Sequence, residues 1–215
     1  MKALVRDGHK CVLTGALDAG LIRSKTIRLD PNSVIAPDHT QAVHIFPSWS
    51  RRDVDRESSH ATGFLNAMKR IHGLNIDKEL DGHKINRLSN IITMCDRAAG
   101  QFNSLKLWFE ADENEKDEDS VHHYKVCSTD QWRLAGMRKK VAFRDERVAD
   151  GTTHPRPDRR YLQVHALCCR VAHLSGATEY LDKFYKKFER MEVLATDGSS
   201  ADFLIQALEL LGHDG

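Results

Sequence analysis

The 215-residue chain has no apolar run near the roughly 18 to 20 residues that a membrane span requires. That excludes a helical membrane protein. The opening Met1-Lys2-Ala3-Leu4-Val5-Arg6-Asp7-Gly8 has no hydrophobic core segment, so no secretory signal is expected. Cysteine is scarce and unpaired in pattern: Cys11, Cys95, Cys127, Cys168 and Cys169 are odd in number and form no CxxC pair. This argues against a disulfide framework and against a zinc knuckle, and favours reduced thiols in the cytosol or nucleus. Internal repeats and coiled-coil heptads are also missing. What remains is an ordinary soluble composition, 40% hydrophobic and 29% charged.

The net charge of +1 conceals segregation along the chain. From Glu110 to Asp119 seven acids stand against Lys116 alone. From Gln131 to Arg160 nine bases, including Arg133, Arg138, Lys139, Lys140, Arg144 and Arg147, stand against four acids. A local basic surface is what phosphate recognition needs, because Lys and Arg displace the counterions of a polyanion. From charge alone, a solvated face without a partner is the favoured reading. The acidic run reads as a hairpin tip, because its acids are contiguous.

Turn and periodicity signals place the elements. Residues 6–15 read as a turn, a short strand and a second turn at Thr14-Gly15. Val34 to Pro37 and Gln41 to Phe46 each suit a strand, with Pro47 ending the second. Ser58 or Ser59 can cap a helix over 60–72, and Phe64, Leu65, Met68 and Ile71 share one face of it. Ile91, Ile92 and Met94 suggest an extended segment before a helix over 96–102. Leu105 to Glu110 and Val121 to Ser128 form a hairpin around the acidic tip. The final third is helical: Tyr161 to Leu174, then a stripe of Tyr180, Leu181, Phe184, Phe188 and Met191, then Phe203 to Leu211. The link over 150–158 is the expected boundary between a domain at 1–150 and a helical extension at 151–215.

Two separated segments carry the chemistry. One is Gln41-Ala42-Val43-His44-Ile45-Phe46-Pro47, a His closing an apolar strand. The other is Asn90-Ile91-Ile92-Thr93-Met94-Cys95, running on to Ala99-Gly100-Gln101-Phe102-Asn103. Together they resemble an HNH (ββα-metal) endonuclease. Arg6-Asp7 with Cys11-Val12-Leu13-Thr14-Gly15, the Ala42–Pro47 box, and Leu107-Trp108-Phe109-Glu110 are similar to a fungal branch of that family. So are Tyr161-Leu162 with His165, and His173-Leu174-Ser175-Gly176-Ala177. The resemblance spans most of the chain apart from long inserts and the acidic tip.

The resemblance implies an α+β fold: a ββα-metal core with an added β-hairpin and a C-terminal helical extension. It implies phosphodiester hydrolysis in nucleic acid, DNA being the expected substrate, with a divalent ion: Mg²⁺ first, Mn²⁺ or Zn²⁺ as alternatives. His44 would be the general base, with a pKa suited to taking a proton from water near neutrality. Asn90 would be a metal ligand or an orienter of the loop and base. The ligand His of the family falls at Ala99, whose methyl group coordinates nothing. Asn103 stands where an Asp is usual, and Val43 replaces the acid found before the base in other branches. Ala99 is then a natural loss or a deliberate His-to-Ala replacement, and the intact surroundings favour the second. The copy as written is expected to be inactive or impaired.

Nucleic-acid contacts are expected from Arg51, Arg52, Arg138, Lys139, Lys140 and Arg144. A homodimer is open. The alternatives are a non-catalytic scaffold that binds nucleic acid or protein, and an interaction module whose helical tail docks a partner. With 12 histidines in the chain, His44 alone would be a packing residue, and Asn90 alone a turn residue. His122-His123 and Cys168-Cys169 point apart on their elements and are expected to be structural. His165 and His173 read as core-edge residues. Trp108 and Trp132 could stack on bases, whereas Phe109 belongs to the core.

Overall fold

In a computed structural model, the described residues are 2–46, 73–114 and 121–174. The chain begins with two short helices, α1 (Lys2–Arg6) and α2 (Ala19–Arg23), followed by strand β1 (Thr40–His44). Helix α3 (Ile76–Glu79) and 3-10 turns at Gly82–Asn86 and Leu88–Asn90 lead into β2 (Ile91–Cys95). Helix α4 (Asp96–Asn103) follows without a break, then β3 (Leu107–Ala111), β4 (Val121–Ser128) and β5 (Lys140–Arg144). A two-residue pair, β6 (Glu146–Arg147) and β7 (Thr153–His154), precedes α5 (Arg159–Leu174). The architecture is mixed α/β with small antiparallel sheets: β1-β2, β3-β4-β5 and β6-β7.

In the β1–β2 sheet, β2 is the covered strand and β1 is partly exposed. Every residue of β2 is buried, which the apolar run Ile91-Ile92-Thr93-Met94-Cys95 permits. One edge of β2 pairs with β1, His44 opposite Ile91 and Val43 opposite Ile92. The other edge is closed by the N-terminal segment: Val12 N donates to Thr93 O at 3.1 Å, and Thr93 N donates to Asp7 Oδ2 at 2.9 Å. Helix α4 packs on β1, β2 and β3, burying Ala98, Ala99 and Phe102. Asp96 in its first turn lies at the positive end of the helix dipole.

Arg6 ties the N-terminus to this unit. Its guanidinium pairs with Asp7 (Nε to Oδ1 at 2.8 Å) and donates to Ile91 O, Leu88 O and Pro155 O at 2.7, 2.7 and 3.1 Å. The planar fork satisfies three carbonyls that no lysine could reach together. Helix α5 lies on β3, and Tyr161, Leu162 and Val164 enter the same core as Phe102, Phe109 and Tyr124. The link over 150–158 carries β7, which pairs with β6 just before it, and the helix beyond the link shares the core.

Several expectations change. Residues 34–37 form no strand; Val34 is 98% exposed, and the pairing nearby is a single bridge between Asp18 and Asp38. An apolar dipeptide between Pro31-Asn32 and Pro37 has too few donors and no partner strand. Strand β5, with Val141 and Phe143 inward and Lys140, Ala142 and Arg144 outward, lies in a stretch read only for its charge. The acidic run is not purely a solvated tip. Asp112 is buried and ion-paired with Lys140 Nζ at 2.7 Å and Lys125 Nζ at 3.3 Å. The helices expected at 60–72, 180–191 and 203–211 lie outside the described residues.

Candidate functional site

His44 closes β1, half-buried, and its Nε2 lies 3.0 Å from Oδ1 of Asn86. Asn86 ends the first 3-10 turn and is exposed. Asn90, by contrast, is completely buried, and its amide is spent on the main chain. Oδ1 accepts from Phe46 N, and Nδ2 donates to Phe46 O and Ile85 O, each at 3.0 Å. Its own carbonyl accepts from Ile45 N at 2.8 Å. The side chain thus fastens Phe46, two residues after His44, to Ile85, the residue before Asn86, while the Asn90 main chain holds Ile45. Asn90 therefore ties together the segments that carry His44 and Asn86. Phe46 is held in turn by an edge-on contact with Tyr161, ring centroids 5.6 Å apart.

Neighbouring strand residues face opposite ways, so His44 shares its side of the sheet with Ala42 and Val43 shares its side with Gln41. Gln41 Nε2 donates to Asp96 Oδ1 at 2.8 Å, so the Gln41–Val43 side is the one turned toward α4. Position 43, rather than 44, is the strand position on the helix side. Val43 and Ala99 are 3% and 1% exposed and belong to one apolar core. Asn103, one helical turn beyond Ala99, is exposed. These residues do not fit a divalent ion: two of the positions are apolar, and the Asn90 amide is committed to backbone partners. No cluster of three His, Cys, Asp or Glu side chains able to hold a metal occurs among the described residues.

The expected nucleic-acid residues divide. Arg51 and Arg52 lie outside the described residues. Arg138, Lys140 and Arg144 line a groove of about 630 Å³ together with Asp7, Lys10 and His123. Lys139 is exposed but does not line it, and Lys140 is neutralised by Asp112. That pairing, with Lys140 the larger influence, holds the Asp112 carboxyl down at about 2.

Among the described residues, His165, His122 and Trp108 take structural places. His165 is buried rather than at a core edge: it stacks on Phe102, centroids 3.8 Å apart, and burial pushes its pKa down to about 4. Arg156 Nη2 donates to His122 Nε2 at 3.0 Å. All five cysteines are free, and Cys169 lies 3.6 Å from His165 Nδ1. Trp108 is buried with its Nε1 donating to Glu110, whereas Trp132 is 68% exposed under the Arg133 guanidinium. Asn86 is the site residue that sequence reasoning missed. Its spacing from Asn90 carries no motif, and only the fold brings it to His44.

In comparisons with known proteins, no family model, no curated protein and no solved structure matches the chain. Among the described residues, no helix is long and apolar enough to cross a membrane.

Proposed function

We propose that the chain is an HNH-type nuclease scaffold that retains the general-base half of its site and lacks the metal half. The observation that carries the reading is the held imidazole: His44 Nε2 against Asn86 Oδ1. An amide oxygen only accepts, so the Nε2 nitrogen carries the proton and Nδ1 keeps a free lone pair. That lone pair can take a proton from an attacking water, and the Asn86 oxygen then stabilises the imidazolium that forms. Asn90 acts as a positioning residue, since its amide has no group left over for a ligand.

The substrate of the scaffold is nucleic acid, DNA in the first instance. A divalent ion would offset charge on the phosphoryl and leaving oxygens. Val43 and Ala99 supply no donor for one, so the chain as written is impaired in cleavage. The test is Ala99→His, followed as nicking of supercoiled plasmid with Mg²⁺, with Mn²⁺ and with EDTA. An imidazole at a position 1% exposed is overpacked by about 1–3 kcal/mol, so circular dichroism must first show the variant folded. Metal-dependent nicking that His44→Ala abolishes supports the reading; a folded variant inert with every ion overturns it. Apolar packing at 43 and 99 favours a second reading, a non-catalytic nucleic-acid-binding scaffold. That reading expects salt-sensitive DNA binding and no nicking after restoration.

A further inference from the structure

A second feature of the surface lies away from His44. The groove between the 7–12 segment and β5 has a volume of about 630 Å³, the scale of a small-ligand pocket. It flanks the edge of β2 opposite β1, where Asp7 and Val12 bond to Thr93. Two strand spacings, about 10 Å, therefore separate it from the His44 strand.

Its charge is arranged for an anion. Lys10, Arg138 and Arg144 line it and pair with no carboxylate among the described residues. Asp7 is taken by Arg6, which leaves Glu146 as the acid that lines the groove without such a partner. The Arg138 guanidinium lies across the bare Cα of Gly15, where a Cβ would stand 2.7 Å from Nη2. Gly15 also has φ +77°, so the turn that seats this arginine is one glycine adopts most readily.

The wall is also an edge strand of the three-stranded sheet among the described residues. β5 is the last strand in the order β3-β4-β5. Val126 N donates to Lys139 O, and Tyr124 stands opposite Val141. Antiparallel alternation then turns the main-chain groups of Lys140, Ala142 and Arg144 away from β4. Outward N–H groups beside arginine side chains are phosphate donors.

We propose that this groove binds single-stranded nucleic acid along its phosphate backbone, with Lys10, Arg138 and Arg144 as the charge contacts. A volume of about 630 Å³ is on the scale of a small ligand rather than of a duplex segment, and one sugar-phosphate chain is the occupant proposed. The inference rests on the nucleic-acid part of the function proposed above and not on cleavage.

The test is fluorescence anisotropy of a labelled oligothymidylate of about 12 nucleotides, with EDTA present, between 50 and 200 mM NaCl. Three phosphate contacts on a single strand give a log–log salt slope of about −2, so affinity falls about 20-fold across that range. Arg138→Glu with Arg144→Glu should weaken binding tenfold or more and flatten the slope to about −0.7. Arg23→Glu with Arg28→Glu, exposed cations elsewhere, should leave both unchanged. The proposal is overturned if the parent does not bind at 50 mM, or if the groove variant binds like the parent. It is equally overturned if a duplex, or a labelled oligoglutamate laid on the β5 edge, binds more tightly with the same arginine dependence. Groove-dependent binding by a restored Ala99→His chain that stays inert overturns the cleavage reading alone. Nicking by that chain with groove-independent binding overturns this inference alone.

Discussion

Removing the Asn90 amide should cost this protein more than any other single truncation near His44. Asn90→Ala deletes three hydrogen bonds of 3.0 Å at a position with no solvent exposure. It leaves the Phe46 N–H and the carbonyls of Phe46 and Ile85 without partners. A buried group stripped of its partner costs about 1–3 kcal/mol, and an N–H is worse off than a carbonyl with a second lone pair. The sum is about 4 kcal/mol, a large part of a typical domain's stability. With a urea m value of about 2 kcal/mol/M, the unfolding midpoint should drop by about 2 M. Asn90→Asp keeps the shape but turns an acceptor toward two carbonyls, so it should be at least as destabilised at pH 8. Its deficit should shrink in acid, where a protonated carboxyl regains one donor. The assay is urea unfolding followed by far-ultraviolet circular dichroism, with the His44 ring resonances read by NMR. A folded Asn90→Ala whose midpoint moves by less than about 0.3 M, with unchanged His44 signals, refutes the clamp.

Three further outcomes follow from buried polar groups. Arg6→Lys should destabilise by about 3–5 kcal/mol in urea unfolding, because the fork to Leu88, Ile91 and Pro155 is lost beside a buried Asp7; a loss under about 1 kcal/mol would count against its place as the tie. His165 titrates near 4 when folded and near 6.5 when unfolded, so stability is full above pH 6.5, falls as pH drops, and levels below 4. The total is about 3 kcal/mol, and His165→Gln should flatten the slope between pH 6.5 and 4, which thermal melts at stepped pH will read. Asp112 is held down at about 2, so its contribution is present above the ordinary carboxylate range and lost as pH falls toward 2. Asp112→Asn should remove that acid limb; an unchanged acid profile contradicts the ion pairing.

What was legible in the sequence was local. The run Ile91 to Cys95, the helix after it, β4 and α5 all announced themselves by period and composition, and the structure carries them within a residue or two. The hidden parts depend on distant partners. Arg6 reads in the sequence as part of a turn and of an opening motif, and only the closure of β2 by the N-terminal segment buries it. Asp112 read as one more acid in a charged run until Lys125 and Lys140 arrived from two other strands. Asn86 had no signature at all. The alternation of Val141 and Phe143 was readable, but the density of charge around it drew attention to the surface instead of the strand. At the site, sequence placed His44 and Asn90 together; it did not show that Asn90 gives its whole amide to Phe46 and Ile85.

Because the proposed function turns on a metal ligand lost at position 99, the most direct measurement needs no nucleic acid. Free Mn²⁺ should be titrated by electron paramagnetic resonance against the parent chain and against folded Ala99→His at neutral pH. The parent should leave the ion in solution, and the variant should take up one ion per chain with an affinity at least about tenfold higher. A folded variant that gains no ion, or a parent that already binds one equally well, contradicts the assignment of position 99.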